Sequence, residues 1–185
     1  RHSDSVEIRL RQGGGGRTMR FDHVIIAAHS DQALSMLADP SPTEREILGA
    51  IPYQDNKAVL HTDASLLPRR KLARAAWNYH LLPNQPARAV VTYHMNRLQR
   101  LSAPQELCVT LNHTDAIDPA KVLRRITYHH PVYSPEAVAA QRRHGEISGV
   151  NRTSYCGAYW GFGFHEDGVK SALAVCRPFD RDLSS

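Results

Sequence analysis

The chain has 185 residues, enough for one domain or one and a half, and 42% hydrophobic with 22% charged residues is an ordinary globular balance. Its net charge of +5 comes from 23 Lys and Arg against 18 Asp and Glu. That excess is scattered in short clusters such as Arg69-Arg70-Lys71 and Arg142-Arg143, so a nucleic-acid partner is not expected. No apolar run approaches the roughly 20 residues of a membrane span, and no secretory signal is visible.

Val6, Ile8 and Leu10 alternate with polar residues, and Met19 and Phe21 alternate again beyond the glycines 13–16. This predicts a hairpin over residues 5–21. Val24 to Ala28 is continuously apolar, as a strand buried on both faces of a mainly parallel sheet would be. Ser30 is placed to cap a helix over Asp31 to Ala38. Ser41-Pro42-Thr43-Glu44 is a capping box with proline at the first helical position.

After Pro52 short β-like runs follow at Ala58–Thr62, Ala89–Tyr93, Leu107–Leu111 and Ile126–His129, together with a helix at Pro135–His144 capped by Ser134. This reads as an antiparallel sheet with helices around it. The fold class is therefore α+β with α/β character at both ends. Three segments are expected: 1–51, an inserted 52–150, and 151–185. The chain opens at Arg1 directly into a strand, as a piece of a longer protein would.

Cys108, Cys156 and Cys176 are odd in number and far apart, which suggests reduced thiols and a cytoplasmic protein. The eleven histidines show no zinc-type spacing; the adjacent His129 and His130 would point to opposite faces of a strand. No metal site is expected. No G-x-S-x-G elbow is present, and nothing near the cysteines marks a lowered thiol pKa.

Three stretches carry possible chemistry. AAWNYHLLP gathers Trp77, Asn78, Tyr79 and His80. VVTYHMNRLQRL ends a β-run at Tyr93-His94, with Asn96 close behind. Each fits ordinary packing at the end of an element, or a pocket wall of aromatic rings and directed amides. GFGFHEDGVKSALAV runs through glycines and aromatics into a helix that is expected to begin near Asp167 or Gly168 and to stop at Pro178. Val169, Ala172, Leu173 and Cys176 share its apolar face. Its acidic entrance fits an N-cap. A helix start reached through glycines also suits an anion or an electron-rich ring edge.

In this order FDHVIIAAHSDQALSML, VLHTD, AAWNYH, VTYHMNRLQ, VTLN, YHHPVY and YCGAYWGFGFHEDG resemble a family of predicted NAD/FAD-binding bacterial flavoproteins. These belong to the flavin-containing amine oxidoreductase superfamily. The resembling type of domain also stands ahead of cyclopropane fatty acid synthase in some plant and microbial fusions. The resemblance implies a two-domain fold, with non-covalent FAD along a Rossmann-like domain and a sheet-based substrate domain over the flavin. It implies Ala28 and His29 beside the cofactor, Gly157 and Ala158 near its ribityl–pyrophosphate region, and Gly163, Phe164 and the HEDG turn at the isoalloxazine. The N-terminus of the last helix would then face the flavin's pyrimidine edge, with Gly168 allowing close approach. Glu166 and Asp167 would cap the helix or bind ribityl hydroxyls, and His165 is the one catalytic candidate.

One departure stands out. No G-x-G-x-x-G follows a first strand, so the adenosine-binding half of the site is expected upstream of Arg1. The implied function is the C-terminal part of an FAD-dependent oxidoreductase moving a hydride from an organic, lipid-like substrate. Its substrate would be a small molecule or a fatty acyl chain, met by Trp77, Asn78, Tyr93 and Asn96. The alternative is a non-enzymatic remnant or binding module that kept the fold.

Overall fold

The computed structural model of the chain describes residues 1–10, 16–83 and 89–181. They fall into two compact units. Unit 1 joins Arg1–Tyr53 to Pro131–Ser185, and unit 2 is Gln54–His130. Residues 131–150, expected in the middle segment, lie in unit 1, because Ala137, Ala140 and Ile147 are part of its hydrophobic core.

In unit 1, β1 (Val6–Leu10) and β2 (Arg17–Phe21) form the expected antiparallel hairpin, with Val6 opposite Phe21 and Leu10 opposite Arg17. Glycines 13–15 of its expected turn lie outside the described residues. β3 (Val24–Ile26) pairs in parallel with β9 (Thr153–Tyr155). The parallel pairing matches the apolar run, but burial on both faces does not. The sheet has only two strands, and Ile25 is 40% exposed on it.

Helix α1 (Ser30–Met36) starts one residue earlier than expected. Ser30 is fully buried inside its first turn instead of capping it, and its N–H donates to the Tyr53 hydroxyl at 2.9 Å. The capping box of α2 (Pro42–Gly49) is complete. Ser41 Oγ accepts the Glu44 N–H at 3.1 Å, and Glu44 Oε2 accepts the Ser41 N–H at 2.7 Å.

Glu44 does more than cap. It is 2% exposed, is gripped by the Arg1 guanidinium at 2.5 and 2.8 Å, and accepts the Tyr155 hydroxyl at 2.7 Å. Burial pushes its pKa up, but the Arg1 guanidinium, the Ser41 N–H and the Tyr155 hydroxyl together hold it down at about 2. Tyr155 also joins Ala33, Ile47, Leu48, Ala140 and Ile147 in the core. α4 (Pro135–Gln141) carries the expected Ser134 cap, whose Oγ accepts the Ala137 N–H at 3.1 Å.

Unit 2 is built on a five-stranded sheet made of β4 (Tyr53–His61), β5 (Trp77–Tyr79), β6 (Val91–His94), β7 (Cys108–Leu111) and β8 (Val122–Pro131). Their order is β5-β6-β7-β4-β8, and the β5–β6, β6–β7 and β7–β4 pairs are antiparallel. A short helix, α3 (Met95–Leu98), follows β6. One face of the sheet buries His61, Asn78, Thr92, His94, Cys108 and Thr110, while Trp77 and Tyr79 on the other face are exposed. Strand residues alternate between faces. Here the alternation is inverted, with polar groups inward and aromatic rings outward. Inward polar groups are tolerated only when hydrogen-bonded.

Candidate functional site

The last helix, α5 (His165–Cys176), begins two to three residues earlier than the sequence suggested. The reason is Asp167. Its carboxylate reaches back to accept the N–H groups of Phe162 at 3.0 Å and Phe164 at 3.1 Å, so it works from the third helical position. The expected apolar face is also displaced. Ser171 and Val175 are the buried residues, and Val169 is 40% exposed. Ser171 turns inward because its Oγ accepts the Gly157 N–H at 2.7 Å.

The glycines before α5 answer to close packing. A Cβ on Gly161 would stand 2.5 Å from Asp167 Cγ, and one on Gly163, where φ is +85°, 2.9 Å from the Tyr133 hydroxyl. Both positions demand glycine for internal reasons. Gly168 differs, because a Cβ there would meet only the Ala158 Cβ, at 3.9 Å. Gln141 on α4 braces the turn by donating to the carbonyls of Tyr159 at 2.8 Å and Gly161 at 2.6 Å.

Around this turn the hydroxyls of Tyr133 and Tyr159 and the indole N–H of Trp160 are buried without a hydrogen-bond partner. Burial pushes both tyrosine hydroxyls above their ordinary pKa. Phe162, Phe164, His165 and Glu166 are exposed at the helix entrance. Among the described residues the backbone N–H groups of His165 and Glu166 have no acceptor.

Ala28 and His29 precede α1 in the same unit. His29 makes no capping bond and stacks on Tyr53, with ring centroids 4.6 Å apart. Gly157 and Ala158 stand at the start of the short turn Ala158–Trp160. Unit 1 thus holds every residue expected at the cofactor. These residues offer free N–H donors at a helix start, an uncrowded Gly168 and flat exposed rings.

The four residues expected at the substrate divide differently. Trp77 and Tyr93 are opposed on neighbouring strands, with ring centroids 5.5 Å apart on the exposed face. Asn78 points to the other face and spends its amide on the Ala75 N–H, the Ala75 carbonyl and the Thr92 carbonyl. Asn96 likewise binds the Gln105 carbonyl at 2.8 Å and the Leu107 N–H at 2.7 Å. Both amides hold the backbone.

Sequence reasoning missed a hydrogen-bonded row inside unit 2. The Asp63 N–H donates to His61 Nδ1 at 3.1 Å. His61 Nε2 contacts Thr110 Oγ1 at 2.8 Å, Thr110 contacts Thr92 Oγ1 at 2.8 Å, and Thr92 contacts His80 Nε2 at 2.9 Å. Beside this row, His94 Nε2 meets Glu106 at 2.5 Å, Arg74 holds the other Glu106 oxygen at 2.9 Å, and His94 Nδ1 is buried without a partner. Isolated threonines and histidines in β-runs gave no signal of either arrangement.

No family model matches the chain, and no curated protein does. Solved structures do. The crystal structure of the CLA-producing fatty acid isomerase from P. acnes is similar over 94% of this chain and 44% of that one, with a TM-score of 0.60 and 16% identity. Cyclohexylamine oxidase from Brevibacterium oxydans IH-35A is similar over 97% of this chain and 47% of its own, with a TM-score of 0.58 and 15% identity. The chain therefore has the mixed α/β fold of the matching parts of these two enzymes, and spans less than half the length of either.

Proposed function

We propose that this chain is the C-terminal part of an FAD-dependent oxidoreductase with an amine-oxidase-like fold. The observation that carries the reading is the start of α5, where two unpaired N–H groups and exposed aromatic rings follow a glycine turn. The ordered sequence resemblance to flavoproteins and the fold shared with a cyclohexylamine oxidase support it. FAD, when bound, accepts a hydride from a carbon substrate and passes the electrons to dioxygen or another acceptor.

The residues have separable roles in this reading. The His165 and Glu166 N–H groups stabilise negative charge on the pyrimidine edge of the flavin through the helix dipole. Asp167 stays aside, because both its helix-capping bonds would be lost if it turned to the ligand. His165 is the polar side chain beside the reacting ring, and Glu166 binds ribityl hydroxyls. Gly157, Ala158 and Gly163 let the backbone pass close to the cofactor, with Phe164, Ala28 and His29 alongside. The exposed Trp77–Tyr93 pair forms an apolar wall for a lipid-like substrate. The similar structures include both a fatty acid isomerase and a cyclohexylamine oxidase, so the lipid-like class rests on the aromatic and aliphatic segments around Trp77 and Tyr93. Burying ten methylenes gains roughly 8 kcal/mol before entropy costs, so chain length tunes affinity strongly.

Two proteins and two substrate series test the reading. The 185-residue chain alone should purify colourless, and a protein extended upstream should purify yellow with stoichiometric FAD. Anaerobic bleaching of the extended protein follows an unsaturated or methyl-branched acyl series. Bleaching by amines alone removes the lipid-like substrate and leaves the oxidoreductase. An extended protein that never holds flavin leaves only a binding module with a borrowed fold.

A further inference from the structure

Unit 2 carries an open pocket of about 500 Å³ lined by Ser65–Arg69, Asn78–His80, His113 and Ala116. Its walls mix polar groups with apolar patches from Leu66, Leu67, Pro68 and Ala116, and no carboxylate is among the lining residues. Its polar members include three cationic or ring N–H groups, those of Arg69, His80 and His113. Arg69 makes no ion pair or hydrogen bond among the described residues. His113 touches only the ring of His80, at 6.0 Å between centroids, and neither of its ring nitrogens is hydrogen-bonded.

The state of His80 follows from the buried row behind it. The Asp63 N–H can only donate, so His61 Nδ1 is an acceptor and Nε2 carries the proton. Thr110 Oγ1 therefore accepts from His61, and its own proton must go to Thr92, its one remaining contact. Thr92 then donates to His80 Nε2. The reverse polarity would bury the Thr110 proton without an acceptor among its contacts, at the desolvation cost of an unsatisfied donor. His80 is thus held as the tautomer that bears its proton on Nδ1, and that N–H has no partner among the described residues. A row of four side chains fixes a donor on a residue of the pocket wall.

We propose that this pocket binds a small organic anion, a carboxylate on a short apolar body, through the Arg69 guanidinium, the His80 Nδ1–H and the His113 ring. Donors without a neighbouring acid select negative charge, and the Leu66, Pro68 and Ala116 patches give a short carbon chain contacts that a bare inorganic anion lacks. The inference goes beyond the flavin reading and does not depend on it.

The test uses the isotope-labelled 185-residue chain, without flavin, titrated with hexanoate and followed by nuclear magnetic resonance. Saturable shifts are expected at His80, His113 and the Arg69 side chain. Hexanamide and inorganic phosphate should each bind at least tenfold more weakly. Arg69→Gln combined with His113→Gln should weaken hexanoate at least tenfold while the remaining spectrum stays superimposable. Ala116→Trp, which fills the pocket, should abolish the shifts. Equal binding of hexanamide, an unchanged affinity in the double variant, or no hexanoate shift at these residues in a well-dispersed spectrum overturns the proposal. None of these outcomes touches the flavin reading, which is decided by the colour of the extended protein.

Discussion

Two buried polar clusters in this protein are finished to different degrees. In unit 2 the His61–Thr110–Thr92–His80 row is bonded head to tail, and only the His80 Nδ1–H at its end is left open among the described residues. In unit 1 the turn before α5 buries two tyrosine hydroxyls and an indole N–H that have no hydrogen-bond partner among the described residues. The contrast is not a general looseness of unit 1, since the Arg1–Glu44–Tyr155 cluster in the same unit is bonded throughout. An unmade buried hydrogen bond costs about 1–3 kcal/mol, and only water or a ligand can recover it at this turn. Stability has been given up at the one place where the glycines, the open helix start and the exposed rings also converge.

The largest effect that sharpens this contrast is in the completed cluster of unit 1. Glu44→Ala takes the acceptor from the Ser41 N–H and the Tyr155 hydroxyl and leaves the buried Arg1 guanidinium only Asp39, and should cost about 3–5 kcal/mol in urea unfolding. A loss under 1 kcal/mol would mean that water already serves that cluster. The same carboxylate sets an acid limb. Its folded pKa is depressed to about 2, so its contribution is complete above the ordinary carboxylate range and fades as pH falls towards 2. His61 acts in the same sense at higher pH, because burial lowers its pKa below the usual 6.5. Its contribution is present above that value and is lost as pH falls through the folded pKa. A urea midpoint that stays flat from pH 7 to 3 would contradict both assignments.

Next in size is Thr110→Val, which strands the His61 Nε2–H and should destabilise by about 1–3 kcal/mol. Gly168→Ala should do the opposite. The position is helical and open to a Cβ, so alanine stabilises this chain by about 0.5–1 kcal/mol. In the extended protein the same change should lower flavin occupancy, read as flavin absorbance per mole of protein. Unchanged occupancy would return the α5 entrance to simple capping. The smallest expected effect is Tyr159→Phe, neutral or stabilising by up to about 1 kcal/mol in the thermal midpoint, since the lost hydroxyl has no partner. A clear loss would show that the turn is as complete as the sheet.

Much of the fold was legible, and the failures share a cause. The β1–β2 alternation, the Ser41–Glu44 box and the Ser134 cap depend on neighbours in sequence, and each is present. The inward face of α5 was misplaced because the apolar period overlooks Ser171, which faces inward for one distant N–H. The sheet of unit 2 was misread in the same way. Trp77 is 58% exposed while Asn78 beside it is 8% exposed, the reverse of what hydrophobicity suggests. The turn before α5 showed in the sequence through its glycines. The roles of Tyr133 and Gln141 there did not, because they reach the turn from another part of the chain.

The pairing of Val24 with Thr153 also fixes an order of assembly. Unit 2 is contiguous, so all its strands are available once residue 130 has been synthesised. Unit 1 cannot close its parallel pair until β9 has emerged, after every strand of unit 2. Until then β3 waits with its apolar residues uncovered while the ribosome completes the segment between. A growing chain carries this exposure for the time needed to make more than a hundred residues, on the order of ten seconds at 5–20 residues per second. The interval is set by the position of the insertion and would shorten in a circular permutant that begins at Pro131.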